Sequence, residues 1–128
     1  MENENKDTKE KIALSSQKNI KISARKMSLL ASAIRGEDTS YVLEYLSKSD
    51  KKGAKFLVGL VQSALSNLGT SENVVLHDIM VGPGMTMKRF NFVSKGRVHR
   101  ILKRSCNVKV YVKEKSLDNS AKKTRSKK

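Results

Sequence analysis

Gly82-Pro83-Gly84-Met85-Thr86-Met87-Lys88-Arg89-Phe90-Asn91-Phe92-Val93-Ser94-Lys95-Gly96-Arg97-Val98-His99-Arg100-Ile101-Leu102-Lys103-Arg104-Ser105 is the stretch on which the reading of this chain turns. It is too long for an ordinary hairpin loop of about 2–5 residues. It has no helical apolar stripe and no strand pattern with one fully apolar face. Yet Met87, Phe90, Phe92, Val93, Val98, Ile101 and Leu102 make it richer in large apolar groups than a linker. The pattern predicts a projecting β-ribbon over residues 82–105. Arms of about a dozen residues at roughly 3.3 Å each would reach roughly 40 Å. An isolated two-stranded ribbon is barely stable in water, so this one needs a partner.

The partner's chemistry follows from charge. The chain has 128 residues, with 27 Lys and Arg against 12 Asp and Glu, a net charge of +15. The excess is concentrated. Residues 1–19 balance Lys6, Lys9, Lys11 and Lys18 against Glu2, Glu4, Asp7 and Glu10. Between Asp78 and Glu114 there is no acid, while Lys88, Arg89, Lys95, Arg97, Arg100, Lys103, Arg104, Lys109 and Lys113 fall in that interval. Such a stripe repels itself unless an anion neutralises it, which points to a polyanion. Lys88-Arg89-Phe90 and Arg97-Val98-His99-Arg100 interleave cations with groups that stack or wedge, as nucleic-acid binding requires.

Either side of the ribbon the periodicities are regular. Asn19 to Ile22 alternates as a short strand, with residues 1–18 before it as a flexible leader. Ser23 suits an N-cap, and Met27, Leu30, Ala31 and Ile34 then form a helical stripe that Gly36 stops. A second short helix buries Val42, Leu43 and Leu46. A longer third, opened by Asp50 and ended by Gly69, carries Ala54, Leu57, Val58, Val61, Leu65 and Leu68. Val74 to Val81 is strand-like. In the last strand Cys106, Val108, Val110 and Val112 alternate with Asn107, Lys109, Tyr111 and Lys113. The expected fold is α+β: three helices packed on a small three-stranded antiparallel sheet, with a long protruding β-hairpin. One domain is expected over residues 19–114, followed by a basic disordered tail over 115–128.

Several classes are excluded or disfavoured. No run approaches the roughly 18–20 apolar residues of a membrane-crossing helix, and no membrane partner is expected. The first residues lack the apolar stretch of a secretory signal. Cys106 is the only cysteine, so no internal disulfide forms, and two histidines are too few for the usual structural zinc site. Gly82-Pro83-Gly84 lacks the third glycine and following helix of a dinucleotide loop. His77 and Asp78 are adjacent on a strand and point to opposite faces, so they form no catalytic pair. The sequence therefore predicts no catalytic residue, no metal and no cofactor. The open alternatives are an RNA-binding protein and an architectural DNA-binding protein laying a basic ribbon in a groove. A small enzyme on an anionic substrate lacks the constellation it would need.

Several motifs in order resemble one family. They are Ile22-Ser23-Ala24-Arg25-Lys26 running into Ile34-Arg35-Gly36, Lys51-Lys52, Gly82-Pro83-Gly84-Met85-Thr86-Met87-Lys88-Arg89, Lys95-Gly96-Arg97, and Arg100-Ile101-Leu102-Lys103-Arg104-Ser105. From Ile20 to Val112 the chain resembles the large-subunit ribosomal protein family numbered twenty-two in the bacterial scheme. That resemblance implies a small α+β body near the exit of the nascent-peptide tunnel and a hairpin that helps line the tunnel wall. It also implies contacts with large-subunit ribosomal RNA, a part in early subunit assembly, and neighbouring ribosomal proteins and the nascent polypeptide as partners. No homo-oligomer is implied, and the expected location is a bacterial cytoplasm rather than an organelle. Carried onto matching positions, the RNA contacts would be Lys88, Arg89, Lys95, Arg97, Arg100, Lys103 and Arg104 on the hairpin, with Ser23, Arg25, Lys26 and Arg35 on the body. The tip Asn91-Phe92-Val93-Ser94 is less basic than is usual in that family, and Ser105-Cys106-Asn107-Val108 departs from its common Thr-Ser-His-Ile-like pattern.

Overall fold

A computed structural model describes residues 11–115. The chain runs as strand β1 (Ile12–Ile20), helices α1 (Ala24–Ile34), α2 (Thr39–Lys48) and α3 (Lys52–Leu68), then strands β2 (Val74–Pro83), β3 (Met87–Phe92), β4 (Val98–Lys103) and β5 (Cys106–Glu114). Strands β1, β5 and β2 form one antiparallel sheet in that order, and β3 with β4 forms a separate two-stranded ribbon. The α+β expectation holds.

β5 is the central strand because it is the most regular alternator. Cys106, Val108, Val110 and Val112 are all fully buried, facing the helices. α3 lies against β1 and β5, and α1 against β2. The buried helical positions are Met27, Ala31 and Ile34 of α1, Thr39, Val42 and Leu46 of α2, and Gly53, Ala54, Leu57, Leu60, Val61 and Ala64 of α3. Of the expected α3 stripe, Val58, Leu65 and Leu68 are only partly buried, while Leu60 and Ala64 go fully inside. The helix starts at Lys52 with Lys51 as N-cap, so Asp50 does not cap it; Gly69 ends it in the left-handed conformation (φ 80°).

β1 corrects the N-terminal boundary. The sequence predicts a flexible leader over residues 1–18, but a strand starts at Ile12 and pairs with β5 from Ile12 opposite Lys113 to Ile20 opposite Cys106. Before Ile20 the buried positions are Ala13 and Ser15, one small and one polar, so the apolar alternation that marks a strand is hidden. Ile12 and Leu14 point outward instead. The remaining leader, residues 1–10, and the predicted tail after Lys115 lie outside the described residues.

An exposed strand edge invites unwanted pairing, and β2's is closed from within. The Gly36 N–H donates to the Leu76 carbonyl (2.9 Å), the Leu76 N–H donates to the Glu37 carbonyl (3.0 Å), and the Thr39 hydroxyl donates to the Val74 carbonyl (3.1 Å). The turn between α1 and α2 thereby acts as a short additional strand, with Asp38 bridged to Val75.

Candidate nucleic-acid interface

The ribbon's pairing fixes which side chains share a face, because residues directly opposite in an antiparallel pair project to the same side. The register is Met87 with Lys103, Lys88 with Leu102, Arg89 with Ile101, and Phe90 with Arg100. In each of these four rungs one cation stands opposite one apolar group. No two cations face each other, so the charge of the stripe is borne without direct cross-strand repulsion. Successive rungs alternate between faces, so both sides of the ribbon carry the same mixture. The two outer rungs, Asn91 with His99 and Phe92 with Val98, carry no lysine or arginine.

Little of this ribbon is covered by the body. Every residue from Lys88 to Arg104 is exposed, Phe92 at 82%. Among the described residues, none of Lys88, Arg89, Lys95, Arg97, Arg100, Lys103 and Arg104 pairs with a carboxylate; the Arg89 guanidinium donates to the Lys88 carbonyl (2.9 Å). The paired arms are shorter than expected: six residues each rather than about a dozen, roughly 20 Å of strand. The shortening has two causes. At the outer end a turn takes up residues 93–97, closed by the Val93 N–H donating to the Arg97 carbonyl (2.9 Å), with Lys95 (φ 63°) and Gly96 (φ 68°) both left-handed. At the root, residues 84–86 leave the ladder.

That root is closely packed. The Gly84 N–H donates to the Ser105 carbonyl (2.9 Å), and the Ser105 hydroxyl donates to the Met85 carbonyl. A Cβ on Gly84 would lie 2.7 Å from Ser105 Oγ and 3.2 Å from Asn107 Oδ1, so only glycine allows this approach. Asn107 in turn accepts from the Asn19 N–H (3.0 Å), tying the root to β1. Where the root meets the start of α1 there is a cleft of about 420 Å³, lined by Ser23, Ala24, Arg25, Pro83, Thr86, Arg104 and Ser105.

The expected site residues therefore divide. Lys88, Arg89, Lys95, Arg97, Arg100 and Lys103 lie along the ribbon and its tip. Arg104, Arg25 and Ser23 come together in the root cleft. Thr86 joins them there and was missed, because an uncharged residue inside a basic motif carries no electrostatic signal. Ser23 also serves the body itself, since its hydroxyl oxygen accepts from the Lys26 N–H (3.5 Å) and caps α1. Lys26 lines a different groove, with Lys51 and Lys52. Arg35 stands apart. Its Nε lies 2.8 Å from Asp78 Oδ1 and its Nη2 donates to the Ile79 carbonyl (2.7 Å), holding the end of α1 to β2.

Other chemistry is sparse. Asp78, which adjoins His77, is engaged by Arg35. Cys106 is buried, and desolvation pushes its thiol pKa up, so the sulfur stays protonated and unreactive at neutral pH. Among the described residues no group of three His, Cys, Asp or Glu side chains is placed to hold a metal, and no helix is long and apolar enough to cross a membrane. A protein-family model described as "Ribosomal protein L22p/L17e" matches residues 15–113, from within β1 to within β5 and thus well over half of the chain.

Proposed function

The chain belongs to the ribosomal protein L22p/L17e family, structural proteins of the large ribosomal subunit that bind its RNA and adjoin other ribosomal proteins, and on that premise we propose that its ribbon is threaded between RNA segments. The observation that carries this is the rung pattern. A ribbon that bound one flat surface would need cations on one face only. Four rungs that place a cation and an apolar group together on alternating faces suit a crevice with RNA on both sides.

In that crevice Lys88, Arg89, Lys95, Arg97, Arg100, Lys103 and Arg104 meet phosphates, and Phe90, Ile101 and Leu102 bury apolar area against sugars and bases. Arg25, with Arg104 and the α1 N-terminus, seats a phosphate at the ribbon's root. Seven phosphate contacts at about 0.7–0.9 each give a log–log salt slope near −5 to −6. The ribbon gains order as the RNA closes on it, which suits a protein that joins an assembling subunit early. The outer rungs support the finer assignment to the exit-tunnel wall: Phe92 and Val98 are exposed there with no lysine or arginine in either rung, so they suit a passing polypeptide while Lys95 and Arg97 of the turn hold phosphates.

Removing residues 85–101 tests the division of labour. The helices and the three-stranded sheet keep their packing, so circular dichroism and thermal melting stay close to those of the full chain. Co-sedimentation with large subunits at moderate salt falls sharply. Global unfolding of the shortened chain, or undiminished co-sedimentation, would overturn the proposal.

A further inference from the structure

Consecutive residues Arg25 and Lys26 serve two depressions. Arg25 lines the root cleft, whereas Lys26 lines a groove of about 520 Å³ between α1, the end of α2 and the start of α3. The groove's apolar surface comes from Leu29, Leu30 and Ala33 of α1, and Tyr45 of α2 walls it. Leu29 is 72% exposed, an open leucine on an otherwise basic surface. Tyr45 is stacked with Tyr41, one helical turn earlier, at 6.2 Å between ring centroids and 23° between planes. Gly53 sets the groove's depth: a Cβ there would come within 2.8 Å of Leu30 Cδ1, so glycine lets α3 begin close against α1. Lys26, Lys51 and Lys52 rim it, and no acid is among its lining residues.

We infer that this groove takes one unstacked base of single-stranded RNA, with the flanking phosphates on Lys26, Lys51 and Lys52. The inference rests on the RNA-binding reading above and adds a second footprint, on the body, that the ribbon does not supply. An aromatic wall beside an aliphatic floor matches the face of a base, and such stacking accepts any base. A duplex keeps its base faces covered and offers phosphates, hydroxyls and base edges, all polar, which would leave Leu29 and Tyr45 without an apolar or stacking partner. A protein partner fits less well, because lysine is depleted in protein–protein interfaces and enriched where phosphates are met. Arg25 and Lys26, adjacent at the start of α1, give each depression a cation at that helix end.

The test is a titration of the full chain followed by amide NMR, with three probes: a short single-stranded oligoadenylate, an RNA duplex of similar charge, and an acidic Glu/Leu peptide. The oligoadenylate shifts Leu29, Ala33, Tyr45 and Gly53, and the duplex shifts only ribbon and root amides. Tyr45→Ala, at an exposed position, weakens oligoadenylate binding about tenfold. The pair Lys51→Gln and Lys52→Gln makes its salt slope shallower by about 1.4. Groove amides unmoved while ribbon amides shift would overturn the base seat and leave the RNA-binding reading standing. Equal groove shifts with duplex would reduce the groove to a phosphate contact and overturn it too. Response to the acidic peptide but not to RNA would assign the groove to a protein, and silence everywhere would overturn both readings.

Discussion

β5 and the β3–β4 ribbon are both built of strands rich in apolar side chains, yet they solve opposite problems. In β5 every second side chain from Cys106 to Val112 is fully buried against the helices. In the ribbon no residue is buried, although Phe90, Ile101 and Leu102 are as apolar as anything in the sheet. Burying such a side chain is worth about 1.5–3 kcal/mol wherever the burial happens. The body collects that stabilisation on folding. The described body leaves the ribbon's apolar groups uncovered, and among the described residues its lysines and arginines meet no carboxylate, so on the proposed reading the ribbon collects it from RNA. Apolar content alone thus does not place a strand in a core; its neighbours decide whether its apolar side chains belong to the fold or to a complex.

The largest test of this contrast compares apolar truncations in the two regions. Leu57→Ala, fully buried on α3, costs about 2–5 kcal/mol in thermal or denaturant unfolding. Phe92→Ala, at 82% exposure, leaves the free chain's stability within about 0.5 kcal/mol. Comparable losses at both sites would break the comparison. Next comes charge: Arg97→Ala with Arg100→Ala makes the RNA salt slope shallower by about 1.4–1.8 and leaves the melting temperature unchanged. An unchanged slope would remove both residues from the phosphate contacts.

Arg35 sharpens the boundary between the regions. Its partners Asp78 and Ile79 belong to the body, and both ends of the ion pair are about half exposed, so Arg35→Ala costs under about 1 kcal/mol and does not alter the salt slope. A slope change equal to that of a ribbon arginine would restore it to the RNA contacts. The smallest effect concerns Cys106. Burial raises its pKa from the ordinary 9.0, so the folded state holds its proton more tightly than the unfolded chain. Its contribution to stability is therefore whole below pH 9.0 and is lost as pH rises through the higher folded-state value. Thiol reagents label it slowly in the native protein; rapid labelling at neutral pH would show that β5 is open to solvent.

Much of the fold is legible because its signals are local. The stripe Met27–Ile34, the alternation Cys106–Val112 and the left-handed stop at Gly69 each depend on residues within a few positions of one another. β1 is not legible, since Ala13 and Ser15 carry no apolar period, and what makes them strand residues is β5 alongside. The candidate site divides the same way. The ribbon's cations are visible as a run without acids, whereas the role of Arg35 depends on Asp78 meeting the end of α1, and the groove depends on Gly53 bringing α3 against α1.

From its sequence alone this protein has its polyanionic partner, its three helices, its core strand and the location of its ribbon, because charge and hydrophobic period are properties of neighbouring residues. The tertiary structure decided the rest: where the first strand begins, which arginine is tied to a carboxylate of the body, and the rungs that pair a cation with an apolar group on both faces of the ribbon. The first depends on β5 lying alongside and the second on Asp78 meeting the end of α1, while the rungs depend on register, which the turn at residues 93–97 and the close contact at Gly84 bound.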